Sequence, residues 1–357
     1  MLKLLILTPS LGAGGAERVL SILSSSFADN FEKVIIVVWK TTPVFYSLDS
    51  RIEIIWIPRM VDNKGIFKQM QWVRAFVKSY CPNVVLSFLA PYNMLALVSL
   101  LGIKVPKLVA ERSDPRINKR GKPVRILRNL LYYSASGILC QTENMKNYFK
   151  GQLHKKAKVI FNPLLIDEKQ IGCAINCPKE DLIVSVGRLA TFKNHILLIQ
   201  AFKKFLEENP GYKLKIFGEG EERDNLIHYI VSQHLEENVF LMGNSTNIFE
   251  DIKNAKAFVL SSKYEGMPNA LIEAMAIGLP CISTKVSGAV DLIVDGVNGY
   301  LCEEDPIQIS ELLKLIVNNE QSARSVSINA TKIVYLLDAK YINLEWISYI
   351  KSFCKDF

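Results

Sequence analysis

The chain is short of histidine and of acid, and it has no long apolar run. Four histidines occur in 357 residues, and 43 lysines and arginines face 35 aspartates and glutamates, for a formal net charge of +8. No apolar segment approaches the roughly 18 residues that cross a bilayer; the longest, 94–103, fits a buried helix. The opening residues 1–15 carry only a brief apolar stretch before their glycines, which reads as a first strand and not a leader peptide, so a cytoplasmic location is expected. Cysteines at 81, 140, 173, 177, 281, 302 and 354 are odd in number and lack paired spacing. With so few histidines beside them, no metal cage is expected and they read as reduced core or incidental thiols. The dinucleotide fingerprint of hydride-transfer enzymes is missing at its proper spacing. Nucleic acid is not an expected partner, because the basic groups lack interleaved exposed aromatics and no reading-helix motif accompanies them.

What is present describes a globular α/β chain. Hydrophobic residues make up 49% and charged residues 22%, and the length suits two domains with separate cores. Short apolar runs at 4–7, 34–39, 52–56, 84–88, 107–111 and 137–141 alternate with helical patterns, a cadence that predicts a parallel sheet covered on both faces. The run 159–161 enters Asn162-Pro163, where proline restricts its neighbour and closes a first domain. Residues 173–179 show no periodicity and read as linker. The pattern resumes with strands at 182–186, 214–217, 239–242, 257–260 and 281–284, and helices at 226–234, 307–317, 322–335 and 341–353 follow or intervene.

Several loops at strand ends carry chemistry-bearing residues, which is where an open α/β sheet places its ligands. Gly12, Gly14 and Gly15 open a helix and leave room for a substrate to approach the backbone, or serve tight strand-to-helix packing. Arg188 and Lys193 flank another strand-to-helix turn and form either a diphosphate clamp or a solvated surface. His195 reads as a helix-start residue. Glu265 lies on a polar loop, and Asn269, read as an N-cap, puts Glu273 about one turn into the next helix. The two acids either bracket a polar ligand or are first-turn electrostatics and a solvated loop acid. Arg112, in the segment 110–115, could bind phosphate or stabilise a leaving group, with Glu111 and Asp114 as candidates to orient an acceptor hydroxyl.

Basic residues gather in the first half. Arg116, Lys119, Arg120, Lys122, Arg125 and Arg128 fall in an acid-free run, and Lys64, Lys68, Arg74 and Lys78 share a helix with Ile66, Phe67, Met70, Trp72, Val73, Phe76 and Val77. Either set is a candidate contact for an anionic membrane surface, or a solvated face.

The frame that joins Glu265, Pro268, Asn269, Glu273, Ala274, Gly278 and Pro280 resembles the E-x7-E signature of retaining, nucleotide-sugar-dependent glycosyltransferases of family four. That resemblance implies the GT-B fold, two Rossmann-like domains facing a deep interdomain cleft. The domains would be 1–163, with a terminal crossover helix at about 341–357, and 164–340. It further implies that Glu265 lies beside the donor sugar and Glu273 holds the ribose, with Met267, Pro268, Asn269, Ala270 and Leu271 lining the donor. Arg188 and Lys193 match the family's second fingerprint, which neutralises the nucleotide diphosphate. Gly14 and Gly15 would face the donor phosphates, Gly218 and Gly220 would form a turn near the nucleotide, and Gly243 with Asn244 would receive the base. Residues 286–289 resemble a loop that closes over phosphate, with Ala289 and Asp291 in place of the usual glycine and glutamate. Arg112 stands where many members carry histidine. The segment 110–115 is similar to bacterial enzymes that extend undecaprenyl-diphosphate-linked saccharides. The implied substrates are a UDP-sugar and such an acceptor, with no cofactor, on the cytoplasmic face of the inner membrane. A non-catalytic nucleotide-sugar-binding component of a polysaccharide-assembly complex is the alternative.

Overall fold

Runs of Val, Ile and Leu bounded by glycine, proline and polar residues form thirteen parallel strands in a computed structural model that describes residues 2–12, 14–58, 65–117 and 121–354. The first seven are β1 (Lys3–Thr8), β2 (Lys33–Val38), β3 (Glu53–Trp56), β4 (Val84–Phe88), β5 (Lys107–Ala110), β6 (Gly137–Cys140) and β7 (Ala157–Val159), ordered 3-2-1-4-5-6-7. The next six are β8 (Leu182–Val186), β9 (Lys213–Phe217), β10 (Val239–Gly243), β11 (Ala257–Leu260), β12 (Cys281–Thr284) and β13 (Tyr300–Cys302), ordered 10-9-8-11-12-13. Each sheet reverses its winding once, between β1 and β4 and between β8 and β11, the doubly wound arrangement of a Rossmann-like domain.

The chain forms two compact units, Met1–Leu165 with Leu337–Phe357, and Ile166–Leu336. In the first unit Leu4, Ile6, Ile36, Val84 and Leu86 are buried together with residues of the terminal helix Ala339–Ser352. That helix buries Ile342, Trp346, Ile347 and Ile350, whereas Leu344 is exposed. The helical period places Ile342 and Trp346 four apart on one stripe and turns Leu344 away from it. In the second unit the helix His195–Leu206 buries Leu197, Leu198, Ile199, Ala201, Phe202 and Phe205 against the sheet.

Three local expectations are corrected. The segment read as linker, 173–179, is bonded at its start: Ala174 N–H donates to the Ile277 carbonyl at 2.9 Å, next to a bond of 3.0 Å from the preceding Gly172 N–H to the Ala276 carbonyl, and the two close the end of the helix Asn269–Ala276. The helix expected at 322–335 is split into Glu320–Ala330 and Ile333–Leu336. Finally, β7 ends at Val159, before the Asn162-Pro163 pair. All seven cysteines are free thiols.

Candidate active site

In the second unit, the reversal between β8 and β11 leaves a crevice at the carboxyl ends of the two strands, and the loops that leave them meet there. After β8 a single turn at Thr191–Lys193 is followed by Asn194 at φ +54°, a left-handed conformation that asparagine tolerates, and the helix begins at His195. This turn carries the Lys193 side chain back across Gly187, where an added Cβ would lie 3.2 Å from the lysine chain. Lys193 Nζ donates to Glu265 Oε1 at 2.5 Å, and Ser262 Oγ donates to the same oxygen at 2.9 Å. The two charged side chains are 14% and 13% exposed, so the pair is shielded from water while still reachable. Phe192 stacks on Tyr264 with ring centroids 5.3 Å apart, and Ser261 Oγ donates to the Lys193 carbonyl at 3.0 Å. Both contacts bind the two loops into one wall.

Glu273 is buried as the fifth residue of the helix Asn269–Ala276, about one turn in, as the motif spacing requires. Pro268 occupies the N-cap in place of the expected Asn269, and Asn269 is the first helical residue. The preceding loop is held by a second close approach. A Cβ on Gly288 would lie 2.4 Å from the Gly266 carbonyl oxygen and 2.6 Å from Pro268 Cδ, so only glycine lets residues 266–268 pass. Of the residues 286–289 read as a loop, Val286 is the N-cap and the rest begin a short helix, Ser287–Leu292, in which the Ala289 methyl is fully buried. Met267 and Leu271 are buried and Ala270 partly so, which leaves Met267 and Leu271 to support the loop.

Arg188 is placed differently from Lys193. It is 66% exposed and ion-paired with Glu221 at 2.9 Å, on the side of the crevice formed by the β9 loop. That loop is tied to its neighbours by backbone bonds: Gly187 N–H donates to Phe217 O, Leu189 N–H to Glu219 O and Gly218 N–H to Gly243 O. Gly218 has φ +135° and Gly243 φ +77°, both outside the range comfortable for other residues. Asn244 follows on the exposed end of β10. His195 is buried, and burial first, then the Lys193 charge, push its imidazole down to about 4, so it is neutral at pH 7.

In the first unit Gly14 is the N-cap of the helix Gly15–Asn30, and the space a side chain would take there is filled by the Glu17 carboxylate, 2.2 Å from the ideal Cβ position. Ser10 Oγ donates to Glu17 Oε1 at 2.5 Å. The Glu17 carboxylate also favours the charged form of Arg112, an influence no local spacing reveals. Arg112 donates to Asn162 Oδ1 at 2.5 Å and lies 5.9 Å from the ring centroids of both Phe88 and Trp346. Its Nε is fully buried without a partner, and desolvation pushes the guanidinium down to about 9, leaving it charged at pH 7.

Glu111 is not available to an acceptor hydroxyl. It is fully buried, accepts from Tyr132 Oη at 2.5 Å and lies 3.9 Å from Arg128 Nε. Tyr132 in turn accepts from Asn93 Nδ2 at 3.1 Å, and Asn93 accepts from Ser87 Oγ at 2.8 Å. Desolvation raises the Glu111 carboxyl, opposed by the Arg128 charge and the Tyr132 bond. Asp114 is likewise committed, paired with Arg116 at 2.6 Å.

The basic sets are also smaller than their sequence clusters. Arg128 is buried and donates to the Pro115 carbonyl at 2.9 Å, while Arg74 donates to the carbonyls of Ser99 and Leu101. Lys64, Lys119 and Arg120 lie outside the described residues. The helix Lys122–Tyr132 has an inverted pattern: it buries Arg128 and Tyr132 and exposes Ile126, Leu127 and Leu130 beside Lys122. Of the apolar residues expected on the helix Gly65–Tyr80, Val73 and Val77 are buried and Ile66 and Phe67 are exposed. No helix of the described residues is long and apolar enough to cross a membrane, and among them no group of three or more His, Cys, Asp or Glu is arranged to hold a metal ion.

Residues 175–333 match the family model described as glycosyl transferases group 1. A Campylobacter jejuni protein named as an N-acetylgalactosamine-N,N'-diacetylbacillosaminyl-diphospho-undecaprenol 4-alpha-N-acetylgalactosaminyltransferase is 31% identical over 324 residues, 85% of this chain and 87% of that one. A second C. jejuni protein, named as an alpha-1,4-N-acetyl-D-galactosaminyltransferase acting on a GalNAc-extended diNAcBac-PP-undecaprenol, is 27% identical across 98% of both chains. Among solved structures, Anabaena HepE in complex with UDP-glucose superposes with a TM-score of 0.82 at 17% identity, covering 99% of this chain and all of that one. Two doubly wound domains, the Glu265 to Glu273 frame at a winding reversal and a relative of this identity and coverage agree: the chain is a glycosyltransferase of the GT-B fold and belongs to the group 1 glycosyl transferases.

Proposed function

We propose that the chain transfers a hexosyl or N-acetylhexosaminyl unit, N-acetylgalactosamine, N-acetylglucosamine or galactose, from a UDP-sugar to a lipid-diphosphate-linked saccharide in surface polysaccharide or glycan assembly. The names of the two Campylobacter relatives support the acceptor class, and the UDP-glucose bound to HepE supports the donor class. The observation that carries the reading is the Lys193–Glu265 pair at the crevice between β8 and β11. A lysine held in a shielded pocket by a carboxylate is ready to exchange part of that contact for a donor phosphate. Low local dielectric strengthens the new contact.

In this scheme Lys193 and Arg188 offset the charge that develops on the departing diphosphate, in place of a divalent ion. Glu265 positions the donor sugar and Glu273 holds the ribose hydroxyls. Retention of configuration follows from attack on the same face as departure, assisted by the leaving phosphate, with no carboxylate nucleophile. Gly218, Gly243 and Asn244 receive the nucleotide by backbone. Arg112, with Gly14 and Gly15, serves the phosphate and acceptor side.

Peripheral attachment to the cytoplasmic membrane face is part of the proposal. Its support is the exposed row Ile126, Leu127 and Leu130 beside Lys122 and Arg125, an arrangement in which apolar groups enter the headgroup boundary while cations meet anionic lipid.

The direct test is a panel of UDP-N-acetylgalactosamine, UDP-N-acetylglucosamine and UDP-galactose with an undecaprenyl-diphosphate-linked saccharide, read by mass spectrometry. Transfer from at least one donor is expected. Glu273→Ala should raise the donor KM about tenfold, the loss of roughly 1.4 kcal/mol of binding, with a smaller change in kcat. Absence of transfer from every donor, or an unchanged donor KM in a folded Glu273→Ala variant, would overturn the reading.

A further inference from the structure

The second unit contains a cavity of about 370 Å³ that the donor site does not use. Lys256 directly precedes β11 and Pro280 directly precedes β12, so the cavity opens at the amino-terminal edge of the sheet. The loops of Lys193 and Glu265 leave the opposite edge, a strand length or about 15 Å away.

Three cations line it, Lys179, Lys256 and Arg324, against one acid, Glu320. None of the three has a carboxylate within 4 Å among the described residues. Lys179 is partly buried and donates to the Lys253 carbonyl at 3.1 Å, a neutral acceptor that leaves its charge uncompensated. Burial pushes its ammonium down to about 8, the thiols of Cys177 and Cys173 oppose that, and Lys256 adds to it. An ammonium moved out of water beside a second ammonium is a standing cost that an anion removes.

The remaining wall is apolar, made by Ile175, Pro280, Ile316 and Val317. Arg324 fixes one side of it by donating to the Ile175 carbonyl at 3.2 Å and to Asn176 Oδ1 at 3.0 Å. A volume at the small end of the range for ligand pockets suits a small ring or short alkyl body.

We propose that this cavity is a second binding site, for a small organic anion whose carboxylate or phosphate meets Lys179 and Lys256 and whose apolar body rests on Ile175, Pro280 and Ile316. The proposal does not depend on the assignment of the donor site. Its position adds a consequence. The wall segment is bonded to the end of the helix Asn269–Ala276 through Gly172 and Ala174, and Ile175 fills the space beside Gly278, so occupancy bears on the helix that carries Glu273.

The experiment is calorimetric titration of the full chain with phenyl phosphate, with and without excess UDP, beside inorganic phosphate and benzyl alcohol as arms that carry only the charge or only the ring. One site is expected that persists under UDP, with phenyl phosphate at least tenfold tighter than either partial probe. Lys179→Met and Lys256→Met should each weaken it at least tenfold, and Ala323→Leu, which narrows the cavity, should do the same without removing charge. If Lys179→Met fails to fold, Lys256→Met carries the test. Competition by UDP, equal binding of inorganic phosphate, or unchanged affinity in folded Lys256→Met would overturn the proposal.

Discussion

Lys193 Nζ and Glu265 Oε1 lie 2.5 Å apart although 72 residues separate them in the chain, and together they join the loops after β8 and β11. Breaking such a pair from one side leaves a shielded charge unmatched, whereas removing both partners leaves none. Lys193→Met is expected to lower kcat by about 100- to 1,000-fold, the size of effect seen when one preorganised electrostatic donor is lost. Thermal melts of Lys193→Met, Glu265→Gln and the double variant should give a coupling of about 1–2 kcal/mol, the double variant being more stable than the sum of the singles. Strict additivity would show that the pair does not interact energetically.

Gly218 combines φ +135° with a backbone oxygen, that of Gly187, only 2.1 Å from where a Cβ would stand. Gly218→Ala should therefore cost about 1–3 kcal/mol and lower Tm by several degrees. Gly211→Ala is the control, because nothing lies within 4 Å of its ideal Cβ. Equal melting temperatures for the two variants would rule out strain at Gly218.

His195 ties stability to pH. Its folded value of about 4 lies below the unfolded value of 6.5, so the unfolded chain takes up a proton first as pH falls. The contribution is full above pH 6.5, declines between 6.5 and 4 and levels off below, on the order of 3 kcal/mol across the window. Denaturant midpoints measured from pH 7.5 to 4 should fall for the parent chain and fall less for His195→Gln. Parallel curves would assign the acid sensitivity to other groups.

The exposed row on the helix Lys122–Tyr132 is open to a vesicle experiment. Leu127→Ser with Leu130→Ser should weaken sedimentation with anionic vesicles about tenfold or more, since each buried leucine is worth roughly 1.5–3 kcal/mol, without lowering Tm, because both side chains are exposed. Undiminished sedimentation would remove this face from the membrane proposal.

Much of this protein is written locally. Apolar runs of four to six residues bounded by turn signals are sufficient to specify buried parallel strands, and the eight-position interval from Glu265 to Glu273 carries the second acid into the helix whatever surrounds it. Family membership was legible for the same reason, because its motif spans one loop and one helix.

What tertiary structure decided is which charges meet. Arg128 reads as part of a basic surface run, yet it is buried against Tyr132, Tyr148 and Phe149 with Glu111 nearby, while leucines on the same helix face outward. Periodicity shows a helix's two faces but not which one the fold covers. Arg112 is likewise set beside the stacked rings of Phe88 and Trp346, the latter on a helix more than two hundred positions away. Arg188 and Lys193 look equivalent as cations on one turn, but Asn194 and Gly187 direct Lys193 to Glu265, and Arg188 is left on the exposed side with Glu221. Strand runs and motif intervals depend on neighbours along the chain; ion pairs and burial depend on which strands the winding sets side by side.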